Sequence, residues 1–327
     1  MTIKNSINVF TNKLTQPNYF FGGRQSGSYT EIAYNINRKK NNWVIGSNIW
    51  TDAFTEERPL PVNIRDYHLF TAGGFIQNNF TVTDHIIIET GLRADLNQLK
   101  NSYHNSKNYT FLLPRLSALF VLNNHYSARL TGGLGYKMPA IFNEEAEMAS
   151  YKNVRTINAD KVKPELSEGI SADLYYKARV GKVSINFNQL FFYTIVKKPL
   201  IFDRALAMQS IYEYINAPSL MDTKGFESQV KMRWKELVFF GGYTFQETRR
   251  KYLANTPLPF APKHRLLMTL MYDKEEHVKM GFESSYTGSQ HLTDGRIVRS
   301  YWTAGFSAEK IWKHFSLYVN FENFTNA

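Results

Sequence analysis

The sequence predicts an all-β fold, a transmembrane antiparallel up-and-down β-barrel, from three observations. Apolar and polar side chains alternate over segments of ten or more residues, the connections between these segments alternate between short and long, and 15% of the 327 residues are aromatic. A period of two places one face of a strand against apolar surroundings and the other against water. About ten such residues suffice for a tilted strand to cross a bilayer, and aromatic residues collect at both membrane interfaces.

The longest alternation lies between residues 125 and 196. One face of its first strand consists of Tyr126, Ala128, Leu130, Gly132, Leu134 and Tyr136, and polar or small residues lie between them. The pattern returns over residues 170–180 and, after Gly181 and Lys182, over residues 183–195. Arg, Lys and Asp residues on the second face argue against a packed protein core on that side. The sequence therefore predicts a wall with a lipid-facing side and a polar inner side.

Fifteen strands are predicted, and helical periodicity is sustained nowhere, although residues 143–149 fit one helical turn in a loop. The strands lie near residues 2–12, 28–37, 41–54, 67–82, 85–98, 110–122, 125–138, 167–180, 183–196, 222–234, 236–249, 262–273, 277–288, 299–312 and 314–326. Later strands keep the alternation, as in Phe226, Val230 and Trp234 against Glu227 and Lys231.

The connections between these strands alternate in length. Short ones lie at residues 123–124, 181–182, 235–236 and 273–276, and long ones near 13–27, 55–66, 99–109, 139–166, 197–221, 250–261 and 289–298. Barrels of the bacterial outer membrane have brief periplasmic turns and longer outer loops. On this assignment the first strand and the strand ending at Asn326 both run outward, so we expect one further strand after residue 327.

Composition restricts the class of protein further. The net charge of +11 is spread along strands and turns and forms no basic patch or helix, which argues against nucleic-acid binding. No run of about 18 apolar residues is present, so a transmembrane helix is not predicted. The absence of cysteine permits an oxidising compartment. Residues 1–10 lack the features of a signal peptide, so we expect the natural chain to begin earlier.

Several motifs resemble those of TonB-dependent outer-membrane receptors, particularly the kind common in Bacteroidota. They are Leu113-Pro114-Arg115-Leu116-Ser117-Ala118-Leu119, Gly133-Leu134-Gly135-Tyr136-Lys137-Met138-Pro139 with Ile141-Phe142, Lys163-Pro164-Glu165, Asn216 before Lys224-Gly225-Phe226-Glu227, Tyr243-Thr244-Phe245, Pro262-Lys263-His264, and Asn320-Phe321-Glu322-Asn323-Phe324. The order and spacing of these motifs over residues 85–326 carry the resemblance, whereas residues 1–84 match the family only in their general strand-like pattern.

The resemblance implies a 22-stranded barrel filled by an N-terminal plug. With fifteen strands here and one behind, six would precede residue 1, so residues 1–327 are expected to form a single incomplete barrel domain without its plug. The family imports scarce ligands, most often a ferric siderophore or another iron chelate, across the cell outer membrane. Energy comes from the TonB complex, which acts through the plug. Cobalamin, haem, another metal or an oligosaccharide would fit such a wall equally well.

Charged side chains of the polar face are expected to point into the lumen and mostly to pair with the plug, because buried charges require partners. These residues are Arg93, Asp95, Arg129, Asp173, Lys177, Arg179, Glu227, Lys231 and Arg233.

Aromatic and basic residues of the outer loops are the candidates for ligand binding. They are Tyr19, Phe20, Arg24, Tyr151 and Arg155. A basic rim would attract an anionic ferric chelate and raise its rate of encounter. The same rim would equally hold lipopolysaccharide phosphates, and the sequence does not separate the two.

No catalytic, cofactor or metal site is predicted. The eight histidines are scattered singly without metal-ligand spacing. Glu144, Glu145 and Glu147 form an acidic group that could bind a cation or a cation-bridged lipopolysaccharide phosphate, but an ordinary solvated loop is favoured. A passive porin-like channel, which needs no plug, is the main alternative to a receptor. An outer-membrane enzyme ranks below it, since no catalytic constellation is found. A soluble β-sandwich ranks last, because it has no reason to alternate short and long connections over fifteen strands.

Overall fold

The computed structural model describes residues 1–57, 64–101, 106–208 and 210–325, and these form an almost entirely β structure. The strands are β1 (Thr2–Gln16), β2 (Tyr19–Asn37), β3 (Asn41–Glu56), β4 (Tyr67–Thr83), β5 (Ile86–Asn101), β6 (Lys107–Val121), β7 (Tyr126–Lys137), β8 (Glu165–Val180), β9 (Val183–Lys197), β10 (Leu200–Phe202), β11 (Tyr214–Asn216), β12 (Met221–Trp234), β13 (Leu237–Arg250), β14 (Thr256–Pro257), β15 (His264–Lys274), β16 (Val278–Thr287), β17 (Gln290–His291), β18 (Ile297–Val298), β19 (Tyr301–Ile311) and β20 (Ser316–Phe321). Two short helices, α1 (Glu144–Met148) and α2 (Arg204–Ala207), lie in the connections.

One antiparallel sheet contains all the long strands. Its order is β1-β2-β3-β4-β5-β6-β7-β8-β9-β12-β13-β15-β16-β19-β20, so each strand pairs with its neighbours along the chain, and β14 adds a short pairing to β13. The pairs β10–β11 and β17–β18 are small hairpins within the connections. The fifteen strands of this path are the fifteen that the alternation predicts.

Short turns lie at one end of the sheet, and the long connections lie at the other end together with the two-residue turn between β1 and β2. The turn between β8 and β9 is Gly181-Lys182, where Gly181 has a φ of 59° that favours glycine. Between β6 and β7, Asn123 Oδ1 accepts hydrogen bonds from the backbone N–H of His125 at 2.8 Å and of Tyr126 at 3.0 Å. The connections 138–164 and 198–220 are the longest at the opposite end, as the sequence predicts.

The prediction of a long loop at residues 13–27 is wrong. β1 and β2 remain paired from Thr2↔Ala33 to Gln16↔Tyr19, and only Pro17 and Asn18 form the turn. Asn18 has a φ of 61°, a left-handed conformation that asparagine tolerates better than most residues. The polar and glycine-rich residues of this segment resemble a loop in composition, but the main-chain ladder continues through them.

The register places apolar and polar side chains on opposite faces of the sheet. Large apolar residues on one face are strongly exposed, for example Leu112, Leu116, Leu134, Ile170 and Leu174. We call this the outer face, and we call the face that carries Phe21, Phe54 and Asp95 the inner face. Within the described ranges, no helix has the length and apolar character needed to span a membrane.

Candidate ligand-binding face

Two long connections fold onto the inner face at the ends of β2 and β3 that lie on the long-connection side of the sheet, which we call their outer ends. We call residues 138–164 and 198–220 together the loop layer. Its packed centre joins wall and loop residues that are nearly or fully buried: Phe21, Phe54, Ile141, Ala146, Tyr151, Val154, Ile157, Val162 and Tyr214. Because apolar side chains drive this packing, the layer is held by the same force as a protein core.

Aromatic rings connect the loop layer to the wall. The ring of Tyr151 stacks on Phe21 with 4.2 Å between centroids, and Phe142 meets Phe54 edge to face at 5.0 Å. Both geometries are the favoured arrangements of aromatic pairs. Tyr151 is only 6% exposed, so its ring serves packing and leaves little surface for a ligand.

The two connections also bind each other. Val154 and Tyr212 form a parallel β-bridge, and the N–H of Arg155 donates to the Tyr212 carbonyl at 2.8 Å. Asn143 caps α1, because its Oδ1 accepts from the N–H of Ala146 at 2.9 Å. The loop layer is therefore one unit and not two separate flaps.

A buried ion pair ties this unit to the connection between β3 and β4. Arg65 forms a salt bridge with Glu56, and both side chains are almost completely buried. The Arg65 Nη1 donates to the Tyr151 carbonyl at 2.6 Å, and its guanidinium lies 4.5 Å from the centre of the Phe21 ring. One guanidinium thus joins wall, connection and loop layer, and its partners satisfy the charge that burial would otherwise penalise.

Asn216 fixes the second connection to the first. Its Oδ1 accepts from the N–H of Lys163 at 2.7 Å, and its Nδ2 donates to the carbonyls of Lys163 and Lys198, each at 2.8 Å. The sequence singled out Asn216 only as part of a family motif. Its structural role is to hold the ends of both connections together.

Burial changes the acidity of two tyrosines in the loop layer. Desolvation raises the pKa of Tyr151 to about 12, with a further contribution from Glu147. Desolvation also raises the pKa of Tyr214, whose hydroxyl donates to the Ile141 carbonyl at 3.3 Å. Both phenols are therefore neutral hydrogen-bonding groups at physiological pH.

One exposed segment of the loop layer, residues 152–163, is basic. Lys152, Arg155, Lys161 and Lys163 are exposed within twelve residues of chain. Glu213 lies 3.2 Å from Arg155 and 3.5 Å from Lys161, so one carboxylate serves two cations. Asp160, also exposed in this segment, pairs with Lys107 of β6 at 2.7 Å. The segment therefore keeps a surplus of positive charge, which suits an anionic ligand.

The five residues predicted as outer-loop ligand contacts are separated by the structure. Tyr19, Phe20 and Arg24 lie in β2 and not in a loop, because the β1–β2 ladder continues to Pro17. Alternation places Tyr19 on the inner face, packed against the loop layer, and Arg24, which is exposed, on the outer face with Phe20. Only Arg155 lies on the exposed side of the loop layer.

On the inner face of β3–β5, Arg93 and Asp95 form a polar group within the wall. Arg93 Nε lies 2.9 Å from the Asp95 carboxylate, and its Nη2 donates to Asn48 Oδ1 at 3.0 Å. A Cβ at Gly73 would come within 2.6 Å of atoms of all three side chains, so a larger residue there would displace this arrangement. Asp95 is only 3% exposed.

Tyr136 belongs to this group, which corrects its predicted position on the lipid-facing side. Its hydroxyl donates to Asp95 Oδ2 at 2.9 Å, and its ring stacks on Phe111 at 3.9 Å. The reason is local: pairing between β6 and β7 ends at Arg115↔Gly133. Pro114 has no N–H to continue the ladder. The end of β7 is therefore free of β6, and the Tyr136 side chain reaches the inner face while its backbone stays paired with β8.

The other residues predicted to face the lumen share the inner face. Arg129 and Asp173 are direct register partners, and Lys177 and Arg179 follow along β8. Glu227, Lys231 and Arg233 lie on the inner face of β12. Beside them is an inner-face depression of about 350 Å³, which Glu227 and Arg265 help to line. Whether these side chains meet a plug stays a prediction.

Acidic groups in the part of the chain that the structure describes do not form a metal site. No set of three or more His, Cys, Asp or Glu side chains converges there. In the acidic helix α1, Glu145 Oε2 accepts a hydrogen bond from the N–H of Phe202 at 2.9 Å. That carboxylate therefore supports the contact between the two connections.

Residues 3–324 match the model of the family described as TonB dependent receptor-like, beta-barrel. The chain belongs to this family. It is an outer-membrane protein, and its sheet is the wall of an antiparallel transmembrane β-barrel, so the inner face is the lumen side and the outer face meets lipid.

Solved receptors and transporters share this fold at low sequence identity. The chain resembles the pyoverdine receptor FpvA of Pseudomonas aeruginosa PAO1, with a TM-score of 0.72, 13% identity and coverage of 99% of this chain and 54% of that chain. The FrpB iron transporter of Neisseria meningitidis gives a TM-score of 0.71 at 14% identity, with coverage of 94% of this chain and 52% of that chain. The copper transporter OprC gives a TM-score of 0.75 at 10% identity, with coverage of 99% of this chain and 56% of that chain. The chain spans about half the length of these proteins. Among curated protein sequences, none matches it.

Sequence reasoning missed the Glu56–Arg65 pair and the packing of the connections. One signal was present: residues 138–164 contain Ile141, Val154, Ile157 and Val162, more apolar residues than a solvated loop requires. No pattern indicates that Arg65 reaches Tyr151, because the two are 86 residues apart and belong to different connections.

Proposed function

We propose that this wall is the barrel portion of a TonB-dependent active importer that takes up a ferric siderophore or another anionic iron chelate. The observation that carries the proposal is the basic segment of the loop layer, which lies at the outer end of the lumen and presents Lys152, Arg155, Lys161 and Lys163. A ferric chelate that carries net negative charge would be attracted to this surface, and a focused positive surface raises its rate of encounter. The FrpB iron transporter and the ferripyoverdine receptor of Pseudomonas aeruginosa support an iron ligand, whereas the copper transporter OprC supports a metal in general.

In this mechanism the chain binds and guides its ligand and performs no covalent chemistry. The loop layer receives the chelate, and a plug carried by the complete protein closes the lumen beneath it. The TonB complex then moves the plug, and the ligand passes along the inner face. Lys231 and Arg233 are exposed there and would meet the plug in its resting position.

Uptake by cells that carry the complete receptor tests the proposal. A strain lacking the gene, grown with iron supplied only as ferric siderophores, is complemented with the wild type or with a variant in which the four cations of the loop layer are alanine. We expect wild-type uptake to require TonB and the variant to lose about tenfold in apparent affinity, with a weaker dependence on salt. The matched control replaces Lys274, Lys279, Lys310 and Lys313, which lie near the turn end of the barrel.

The alternatives give different results in the same assay. Uptake that persists without TonB would establish a passive channel and refute the active mechanism. TonB-dependent uptake of copper, cobalamin or an oligosaccharide, with no uptake of any ferric chelate, would leave the importer in place and refute the iron assignment.

A further inference from the structure

The wall has an opening between β6 and β7 near its outer end. The pairing of the two strands ends at Arg115↔Gly133, and in the described part of the chain no further pair joins them. Each strand nevertheless continues, because β6 stays paired with β5 and β7 stays paired with β8. Residues 107–114 of β6 and 134–137 of β7 therefore border a gap, which we call the seam. The four unpaired residues of β7 make it about 14 Å long, at a rise of about 3.4 Å per residue.

The ring of Tyr136 occupies the seam. The backbone of Tyr136 follows Leu134 in the outward-facing row of β7, yet the hydroxyl donates to Asp95 Oδ2 on the inner face at 2.9 Å. The side chain therefore passes from the outer to the inner side of the wall through the space that the missing ladder leaves. Its ring stacks on Phe111 of β6, with 3.9 Å between centroids. Rotation of this one side chain would clear the seam and leave both strands in place.

An apolar hollow lies directly outside the seam. It encloses about 560 Å³ over strands β6–β9, and its lining includes Pro114, Leu116, Leu134, Ile170, Tyr193 and Ile195. Pro114 and Leu134 are the first residues of their strands beyond the last pair, so the hollow and the seam are continuous. Leu116, Leu134 and Ile170 are about half exposed on the lipid-facing side. An apolar chain that left the lumen through the seam would enter this hollow and the hydrocarbon beyond it.

The loop layer lies at the inner mouth of the seam. Tyr109 and Phe111 project from β6 on the inner face, with 6.4 Å between their ring centroids. The Tyr109 hydroxyl donates to the carbonyls of Ala159 and Val162, each at 3.4 Å. A ligand held by the loop layer is therefore next to aromatic rings that lead into the seam.

Two lysines lie where the seam meets the lumen. Lys137 directly follows Tyr136 at the end of β7, and Lys163 belongs to the loop layer. Both are exposed, and both line a small hollow of about 40 Å³ together with Glu165. Glu165 is the register partner of Lys137, and its carboxylate accepts from the N–H of Leu200 at 2.6 Å. Two lysines and one carboxylate give a local charge of +1, which suits one monovalent anionic group such as a carboxylate.

We propose that the seam is a lateral route through the wall for an amphiphilic ligand with one anionic head and one unbranched apolar chain. The head contacts Lys137 and Lys163 on the lumen side, and the chain passes between β6 and β7 into the hollow when the Tyr136 ring rotates away. Transfer of the chain from the lumen to hydrocarbon favours this step. One unbranched chain is the limit, because the strands are paired immediately below the seam. The route holds for a ligand with or without a metal, so it does not depend on the iron assignment.

Thiol labelling from the membrane tests the route, because these 327 residues contain no cysteine. Leu113→Cys places a thiol on the inner face beside the seam, and Thr244→Cys places one in the inner-face depression, each six residues from the outer end of its strand. The complete receptor, with any other cysteine replaced by serine, is reconstituted in vesicles that contain N-hexadecylmaleimide. We expect Leu113→Cys to react about tenfold faster than Thr244→Cys. Equal rates, or no reaction at either thiol, would overturn the lateral route.

Two matched pairs of variants act on the route itself. Tyr136→Ala empties the seam and should raise the labelling rate of Leu113→Cys about tenfold, and Tyr136→Phe, which keeps the ring, should raise it less. Tyr126→Ala removes a ring at the paired end of the same strand and should leave the rate unchanged. Gly132→Leu narrows the hollow and should lower the rate, whereas Gly74→Leu, on the outer face with open space around it, should not. A rate that ignores Tyr136, or that changes equally in a variant and its control, would show that the chain does not pass through the seam.

Decanoate, with one carboxylate and one unbranched chain, tests the ligand class. Calorimetric titration of the complete receptor in nanodiscs, with empty nanodiscs as the blank, measures its affinity. We expect the double variant Lys137→Ala and Lys163→Ala to bind decanoate about tenfold more weakly than the wild type, because the charge-assisted contacts are lost. The control, Lys274→Ala with Lys310→Ala at the turn end, should bind as the wild type does. Competition by acetate, which has no chain, or full affinity in the Lys137 and Lys163 variant would overturn the assigned ligand.

Discussion

Strands β2–β5, whose outer ends lie beneath the loop layer, pair charged side chains on their inner face, whereas over β12–β16 the inner face carries exposed charged side chains. In the covered region, Arg65 pairs with Glu56 and Arg93 with Asp95. In the open region, Lys231 and Arg233 are exposed next to the depression that Glu227 helps to line. The covered region satisfies its charges within the chain, and the open region presents them to whatever fills the lumen.

The largest effect is expected from the buried pair of the covered region. Arg65→Ala leaves Glu56 buried without its partner and removes the bond to the Tyr151 carbonyl. We expect the free energy of unfolding of the complete receptor to fall by about 3–5 kcal/mol. Denaturant titration in detergent, followed by tryptophan fluorescence, measures the change.

The control for this variant is Arg296→Ala, which breaks the exposed pair of Arg296 with Asp294 in the outer connection between β16 and β19. An exposed pair contributes about 0–1 kcal/mol. Equal losses in the two variants would contradict the view that burial makes Arg65 important.

The polar group of Asn48, Arg93 and Asp95 beside Gly73 gives a second contrast between the two regions. Arg93→Ala leaves the Asp95 carboxylate almost fully buried with one partner fewer, and we expect a loss of about 1–3 kcal/mol. Lys231→Ala removes an exposed charge, so we expect a change within about 0.5 kcal/mol for the barrel itself.

Unfolding of both variants in the same detergent separates these cases. A Lys231→Ala variant as unstable as Arg93→Ala would show that the open region satisfies its charges as tightly as the covered one.

Asn216 tests whether the loop layer behaves as one unit. Asn216→Ala removes three hydrogen bonds to backbone groups, and we expect a local loss of about 1–3 kcal/mol. Hydrogen exchange should then increase in both connections, residues 138–164 and 198–220, and not in the wall strands.

Lys163→Ala is the matched control, because Asn216 uses only the backbone of Lys163 and the lysine side chain is exposed. Faster exchange in one connection alone would contradict a single cooperative layer.

The smallest effect concerns pH. Because the pKa of Tyr151 is raised to about 12 in the folded state, its contribution to stability is complete below the ordinary tyrosine value of about 10. The contribution is lost as pH rises from about 10 to 12, when the unfolded chain ionises first. Limited proteolysis of residues 138–164 should increase in this range, and Tyr151→Phe should shift the onset to higher pH. An unshifted onset would exclude Tyr151 as the titrating group.

Much of the wall follows from sequence, because alternation with a period of two is a local property. The lipid-facing rows of β8 and β9 and the short turn at Gly181 were predicted correctly. The β1–β2 connection was not, because residues 19–27 resemble a loop in composition while their register is set by the partner strand.

The candidate site was less predictable, because its contacts join residues that are distant in the chain. Tyr151 was identified as an aromatic of the outer loops, but its stacking on Phe21 depends on how a 27-residue connection folds back. The alternation in sequence assigns Tyr136 to the outer face, but its side chain lies on the inner face. The sequence of β7 alone does not indicate this, because the cause is Pro114 of the neighbouring strand β6, where the β6–β7 ladder ends. Local patterns carry no information about either contact.

The attachment of the loop layer has a mechanical consequence. The wall strands are joined by continuous ladders, which share a load among many parallel bonds. The hydrogen bonds that attach the layer to the wall and to the β3–β4 connection include isolated ones from side chains to carbonyls, such as Asn101 to Ile157 and Arg65 to Tyr151. A pull along the barrel axis would load such bonds one after another, so the junction between loops and wall should yield at a lower force than the barrel. A receptor built in this way can release its outer layer under tension and keep its wall intact.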